Sequence, residues 1–201
     1  FIDILDSCSF KNNDTAINVS RSIPKYCIFE NNGLGIIGST GVTNSRFANN
    51  KVALIAQSLY SHTEVPRSSS VVDCIIENND TGVVADVLSL GFNNNVVSNN
   101  SVGLRLYGHC KIHNLICSYS IHNNRICNNA TYNVINDGYQ DIEMTETCFC
   151  LSDYKSIDAK IYDKADDTAR KWIKYSLAHT NCEETNTIAS ANYKDLTVYP
   201  N

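Results

Sequence analysis

Methionine and tryptophan each occur once in this chain, proline three times, and only 18% of its residues are charged. The lone Met144 leaves no methionine-rich tract of the kind that holds soft copper ions, and the five histidines form no His-rich tract either. Sixteen Lys and Arg against 21 Asp and Glu give a net charge of −5. That balance provides no polybasic surface to attract nucleic acid or anionic lipid. No apolar run approaches the length of a membrane-spanning helix, so no membrane insertion is expected. No secretory leader is legible: Phe1-Ile2-Asp3-Ile4 starts directly in strand-like sequence, and a mature or trimmed segment of a longer product is expected.

What is present is a repeat. Cys27 to Gly38 reads C-I-F-E-N-N-G-L-G-I-I-G, and related copies start at Cys8, Ser45, Cys74 and Asn95, with a looser one at Arg125. The shared rule is apolar, polar, Asn-Asn, two variable residues, Gly or Ala, then an apolar pair. The third position is Phe10, Phe29, Phe47, Ile76, Val97 and Ile126, at intervals of 19, 18, 29, 21 and 29 residues. Each copy holds two short runs rich in Val, Ile and Phe around the Asn-Asn pair, the strand-and-turn signature. Strands this short bury a face only by stacking copy on copy in parallel around a shared core. Asparagine tolerates the left-handed backbone region at such a corner. Stacked amides can also pass hydrogen bonds up the pile as a ladder. Ala16, Gly35, Ala53, Gly82 and Gly103 keep the next corner small, and Ile17, Ile36, Leu54, Val83 and Leu104 point inward by two-residue alternation. Gly33-Leu34-Gly35-Ile36-Ile37-Gly38 matches the dinucleotide-binding G-x-G-x-x-G pattern, but no helix follows to supply the phosphate site.

With these copies the chain resembles the right-handed parallel β-helix repeat family, the pectate-lyase-like superfamily in its broad sense. It is most similar there to periplasmic copper-binding-type and archaeal surface-layer β-helices. Those repeat N-N-x-x-G-I and often end in a tail carrying I-Y-D-x-x-D-D, matched here by Ile161-Tyr162-Asp163-Lys164-Ala165-Asp166-Asp167. The likeness covers roughly residues 1 to 180 and implies fold strongly but activity weakly. The expected architecture is all-β, a right-handed parallel β-helix of about six to seven rungs with a short helical C-terminal cap. Residues 1–155 would be rungs and 156–201 the helical cap and an extended tail. Ser156 reads as the N-cap of that helix, with Ile157, Ile161, Ala169, Trp172 and Ile173 at helical spacing. Two excursions should project from the solenoid, one from Gln57 to Ser70 and one over residues 107–124.

Nine cysteines and five Asn-x-Ser/Thr sequons, at Asn13, Asn18, Asn79, Asn99 and Asn129, point to an extracellular or cell-surface setting. Asn-rich turns also generate sequons by composition alone, but each such corner reads as a solvent-facing place for a glycan. Cys8, Cys27 and Cys74 share one inward position and read as small apolar core residues. Cys110, Cys117, Cys148, Cys150 and Cys182 fall outside the repeat positions and are the disulfide candidates; the odd total leaves at least one thiol free or paired between chains. His109, Cys110, His113 and Cys117, with His122 beyond, have a spacing that ligates zinc or copper. A Cys110–Cys117 disulfide with exposed histidines is the competing account, and no cofactor is assigned.

Polysaccharide cleavage on such a scaffold needs clustered carboxylates, or calcium-bound carboxylates with a basic partner. The outward row Asn18, Ile37, Ile55, Val84, Arg105 and Val134 is mostly apolar, and no N-T-D, G-D-D, G-H-G or R-I-K motif occurs. Asp166-Asp167 falls in the tail motif, where a structural turn is the simpler role. The expectation is therefore not an enzyme. An apolar outer row calls either for a partner or for cover by the chain's own tail. Leu196 and Val198, in the final strand-like stretch, lie either along their own solenoid or on a neighbour's exposed edge. The functional expectation is a non-catalytic assembly module for a fibre, surface layer or adhesin stalk, whose partners are copies of itself or neighbouring surface proteins. Ile37, Ile55, Val84, Leu196 and Val198 would form its assembly surface. The alternative is a carbohydrate-binding or polysaccharide-cleaving module that uses Tyr60, Tyr107, Tyr119 and Tyr139 near the excursions as stacking faces for sugars.

Overall fold

The computed structural model describes residues 3–18, 22–38, 41–57, 68–107, 118–175 and 182. Strands β1 (Asp3–Asp6), β2 (Ser9–Lys11) and β3 (Thr15–Asn18) make the first rung of a parallel solenoid. The next comprises β4 (Ser22–Lys25), β5 (Ile28–Glu30) and β6 (Leu34–Gly38), followed by β7 (Gly41–Thr43), β8 (Arg46–Ala48) and β9 (Val52–Gln57). Then come β10 (Ser68–Val72), β11 (Ile75–Glu77) and β12 (Thr81–Asp86), and β13 (Ser89–Asn93), β14 (Val96–Ser98) and β15 (Val102–Leu106). The sixth rung is β16 (Ser118–His122), β17 (Arg125–Cys127) and β18 (Tyr132–Asn136). A partial seventh has β19 (Ile142–Thr145), the helix α1 (Tyr154–Asp158) and β20 (Ile161–Tyr162), and β21 (Ile173–Tyr175) adds one more strand. Strands three apart pair in parallel up to β19, and β18 with β20 and β19 with β21 finish the stack, giving an eight-stranded sheet from β1 to β21, a six-stranded sheet from β2 to β17 and a seven-stranded sheet from β3 to β20.

Each rung thus has three strands, not the two legible in the repeat. The missed strand lies in the eight-stranded sheet, whose members share no motif beyond one inward residue. In register that residue runs Leu5, Pro24, Val42, Val71, Phe92, Ile121, Met144, Tyr175. Facing it are Phe10, Phe29, Phe47, Ile76, Val97 and Ile126 from the second sheet. Ile17, Ile36, Leu54, Val83, Leu104, Val134 and Ile161 come from the third. These three rows run through the core. Phe10, Phe29 and Phe47 stack with near-parallel rings at centroid distances of 5.0 and 4.6 Å.

The first Asn of each Asn-Asn pair takes the left-handed conformation: Asn12, Asn31, Asn49, Asn78, Asn99 and Asn128 all have φ between 57° and 59°. It turns the chain from the second sheet into the third. The second Asn points inward and builds the ladder. Asn32 donates its backbone N–H and its Nδ2 to Asn50 Oδ1 at 2.9 and 3.0 Å, and sends Nδ2 also to the Phe10 carbonyl of the preceding rung. Asn13, Asn50, Asn79 and Asn100 each donate backbone N–H and Nδ2 to the next inner Asn in the same way. At Asn129 the sequence inserts one residue, and Nδ2 turns to Asn133 Oδ1 instead, ending the ladder. The small residues behave as expected. A Cβ on Gly35 would lie 2.3 Å from the Ala53 carbonyl oxygen, and one on Gly82 2.4 Å from that of Gly103.

A second left-handed corner joins the first sheet to the second, at Ser7, Tyr26, Asn44, Asp73, Asn94, Asn123 and Glu146. The residue after each is Cys8, Cys27, Ser45, Cys74, Asn95, Asn124 or Thr147. Ser45 Oγ and Asn95 Oδ1 accept the N–H of Cys27 and Cys74, so hydroxyl and amide form this ladder where they occur.

Several expectations need correction. Ser68–Ser70 and Ser118–His122 are strand residues, so the serines do not break the chain and both excursions are shorter than expected. The helix spans Tyr154–Asp158, and its cap is Asp153, whose carboxylate accepts the Ser156 N–H at 2.9 Å. Ile161 and Ile173 are in strands; open edges of the third and first sheets outbid helical spacing there. Ile157, Ile161 and Ile173 join the one core, which runs on past residue 155 without a break.

Candidate functional site

The outer side of the third sheet carries the expected apolar row. Ile37, Ile55 and Val84 are in-register neighbours on successive rungs and are half-buried. Asn18 precedes them; Arg105, Ile135 and Tyr162 follow. Val134, placed in this row by simple alternation, faces the core instead, because the inserted residue at the Asn129 corner shifts the register by one. A second outer row, overlooked in the sequence, runs beside the first: Thr15, Leu34, Val52, Thr81, Val102 and Tyr132. It was readable as the first residue of each later run, two to three positions after the Asn pair. Together the rows put Leu34, Ile37, Val52, Ile55, Val84 and Val102 on the outer side of one sheet.

Beyond Val102 the face changes character. Arg105 Nε donates to Asp137 Oδ2 at 2.6 Å, and Arg170 reaches the other carboxylate oxygen of Asp137. The Arg170 guanidinium lies 4.2 Å from the Tyr162 ring centre, and Tyr162 sits 5.2 Å from Tyr132. Of the tyrosines singled out, Tyr107 receives Arg105 over its ring at 5.0 Å, while Tyr119 donates its hydroxyl to the Val87 carbonyl and packs against the core. Tyr139 is exposed, and Tyr60 lies outside the described residues.

The carboxylates are taken up by structure. Asp163 is buried and accepts the backbone N–H of Ala165 and Ile173 at 2.8 Å each, while Asp166 and Asp167 accept the N–H of Asp163 and Ala169. The acidic tail motif therefore ties β20 to β21. On the second sheet Lys11, Glu30, Arg46 and Glu77 form an alternating ladder, with Lys11–Glu30 at 2.8 Å and Arg46–Glu77 at 2.7 Å. The hydrogen bond from Lys11, helped by Arg46, holds the Glu30 carboxyl below its usual range.

Among the sequons, Asn18 and Asn99 are exposed. Asn13 is exposed too, but its Nδ2 is shared between Asn32 Oδ1 and the Lys11 carbonyl. Asn79 and Asn129 are 3% and 1% exposed and spend Nδ2 inside the ladder. In these two pairs the second Asn points into the solenoid, not to solvent as expected, and the folded rung leaves no room for a glycan on either.

Cys27 and Cys74 are fully buried free thiols and Cys8 is a half-buried one. Burial pushes the Cys74 thiol up to about 12 and raises that of Cys27, which makes both poor nucleophiles. Among the described residues the disulfides are Cys127–Cys150 and Cys148–Cys182. Cys127 was missed because it stands in a repeat copy, and because Cys148-Phe149-Cys150 is itself a rung segment without an Asn pair. An isolated bridge pairs Arg125 with Cys148, so Phe149 turns inward and both neighbouring sulfurs turn outward beside Cys127. His109, Cys110, His113 and Cys117, and likewise Leu196 and Val198, lie outside the described residues. No helix among the described residues is long and apolar enough to cross a membrane. No family model, no curated protein and no solved structure matches this chain.

Proposed function

We propose that this chain is a non-catalytic structural module, secreted or displayed at a surface, that assembles through the outer face of its third sheet. The observation that supports this is the in-register block of Ile37, Ile55 and Val84 flanked by Leu34, Val52 and Val102. Six aliphatic side chains on one outer side lose unfavourable hydration when covered, each contributing on the order of 1 kcal/mol if half its surface is removed from water. A second copy of the face, or a neighbouring surface protein, is the partner this chemistry fits. In the same reading the solenoid winds right-handed, α1 belongs to its cap, and glycans sit at Asn18 and Asn99.

Sedimentation velocity of the full chain over a wide concentration range tests this. The native chain self-associates, and Ile55→Lys, which buries an ammonium in the contact, returns it to monomer with an unchanged far-ultraviolet spectrum. A native chain that stays monomeric throughout, or an Ile55→Lys variant that associates equally, overturns the reading.

The Tyr132–Tyr162–Arg170–Asp137 group favours one other reading, a carbohydrate-binding site at the end of the same face, since aromatic faces and charged hydrogen-bonding groups together suit sugar rings. Affinity electrophoresis against a polysaccharide panel separates the two: retardation lost in Tyr162→Ala supports sugar binding, and no retardation removes it.

A further inference from the structure

Four sulfurs from three separate stretches meet at the outer side of β17. Cys127, Cys150 and Cys182 have their Sγ atoms all within 4.8 Å of one another, and Cys148 is bonded to Cys182. Cys182 Sγ stands 3.2 Å from Cys150 Sγ, although the two belong to different disulfides. Four thiolates around one zinc-class ion, each about 2.3 Å from the metal, sit about 3.8 Å apart at the corners of a tetrahedron. The Sγ atoms of Cys127, Cys150 and Cys182 are already gathered on that scale, and Cys148 is held beside them through its bond to Cys182. Cys127 and Cys148 are buried and Cys150 and Cys182 are half-buried, so the site has a dry side and an open one. Arg125 Nε lies 3.4 Å from Cys150 Sγ, where a guanidinium N–H favours thiolate over thiol and serves as an outer-shell donor to a bound sulfur. Once the disulfides open, the scaffold keeps most of the ligands near one another. Cys148 and Cys150 alternate on one strand-like stretch and Cys127 belongs to the adjacent rung, so three of the four positions are set by the solenoid.

We propose that Cys127, Cys148, Cys150 and Cys182 form, in the reduced protein, a tetrathiolate site for a divalent cation of the zinc class. The two disulfides and the metal site are alternative states of one sulfur cluster. A phosphine reduces each disulfide, giving two thiols and a phosphine oxide whose oxygen comes from water. One cation then displaces four protons from four thiols and forms four metal–sulfur bonds, with no net change in oxidation state. Thiolate softness selects zinc, cobalt or cadmium over magnesium or calcium. This inference is independent of the assembly reading, because the cluster lies on the second sheet and not on the apolar face of the third.

Titrating the full, phosphine-reduced chain with cobalt under anaerobic conditions tests it. One cobalt per chain, the visible ligand-field bands and sulfur-to-cobalt charge-transfer band of a tetrahedral thiolate, and displacement by zinc are expected. The spectrum should survive Cys110→Ser with Cys117→Ser, and lose its tetrathiolate character in Cys150→Ser and in Cys182→Ser. Should reduction itself loosen the last rung, cobalt must restore the far-ultraviolet β-signal along with the bands. Absent bands, bands unaffected by Cys150→Ser, bands that need Cys110 and Cys117, or binding that leaves a reduced chain unfolded each overturn the proposal.

Discussion

Asn49 and Asn50 are adjacent, chemically identical and assigned opposite work by the solenoid, which makes them the sharpest test of its physics. Asn49 is exposed and needed for its backbone conformation, with φ of 57°. Glycine adopts that conformation freely, so Asn49→Gly should change stability by no more than about 0.5 kcal/mol. Asn50 is 3% exposed. Its Nδ2 donates to the Phe29 carbonyl and to Asn79 Oδ1, each at 3.0 Å, and its Oδ1 accepts both Asn32 N–H and Asn32 Nδ2. In Asn50→Ala the Asn32 backbone N–H loses its acceptor and the Phe29 carbonyl loses a donor, while Asn32 Nδ2 keeps Phe10 and Asn79 Oδ1 keeps Asn50 N–H. The Asn32 N–H left without an acceptor costs about 1–3 kcal/mol, and the Phe29 carbonyl, which keeps its ladder donor from β8, loses a further bond worth about 0.5–1.5 kcal/mol, so the variant should lose about 3 kcal/mol, with a bridging water in the vacated space setting the low end near 2. That is a large share of a typical domain stability of about 5–15 kcal/mol. Urea unfolding followed by far-ultraviolet circular dichroism reads the difference as a shift in midpoint at constant slope. Equal midpoint shifts for the two variants, or a loss below about 1 kcal/mol for Asn50→Ala, would refute the division between conformational and ladder asparagines.

Gly82→Ala should destabilise by at least about 1–3 kcal/mol in the same assay, because its Cβ meets the Gly103 carbonyl oxygen, part of a paired strand that cannot swing aside; an unshifted midpoint would contradict the close rung contact. Lys11 and Arg46 depress the Glu30 carboxyl from its usual 4.5, so its stabilisation is present at neutral pH and lost as pH falls through the depressed value. Glu30→Gln should flatten the acid limb of a midpoint-against-pH plot below about pH 4.5, and an identical limb would remove the ion-pair ladder from the account. Cys27 and Cys74 should resist iodoacetamide at about pH 8 in the folded chain and react only after unfolding, as mapped by peptide mass spectrometry; native-state labelling of either would show that the core opens.

How much of this was legible follows from which interactions are local. The Asn-Asn corner could be read because one residue type satisfies both demands there: the left-handed bend is met by the first amide and the ladder by the second. The Gly or Ala at positions 35, 53, 82 and 103 could be read because a carbonyl of the next rung excludes anything larger at Gly35, Gly82 and Gly103. The strands of the eight-stranded sheet could not, since the inward residue they share is as varied as Pro24, Phe92 and Met144, and their corners accept even Tyr26 and Glu146. Which Asn of a sequon faces solvent was equally hidden, because a sequon is a three-residue pattern and burial is set by the rungs above and below.

The sequence by itself determined the parallel stack, its rung length, the inward rows of two sheets and the apolar outer row, since all four are periodic and period survives without coordinates. Only the tertiary structure decided the rest. It set the first, eight-stranded sheet, moved Ile135 outward through one inserted residue, and turned helical spacing at Ile161 and Ile173 into strands by offering unpaired sheet edges. It also brought Cys127 beside Cys150 and Cys182. Those outcomes depend on which backbone lies one rung away, a distance of about 4.8 Å in space that the chain separates by some twenty to thirty residues.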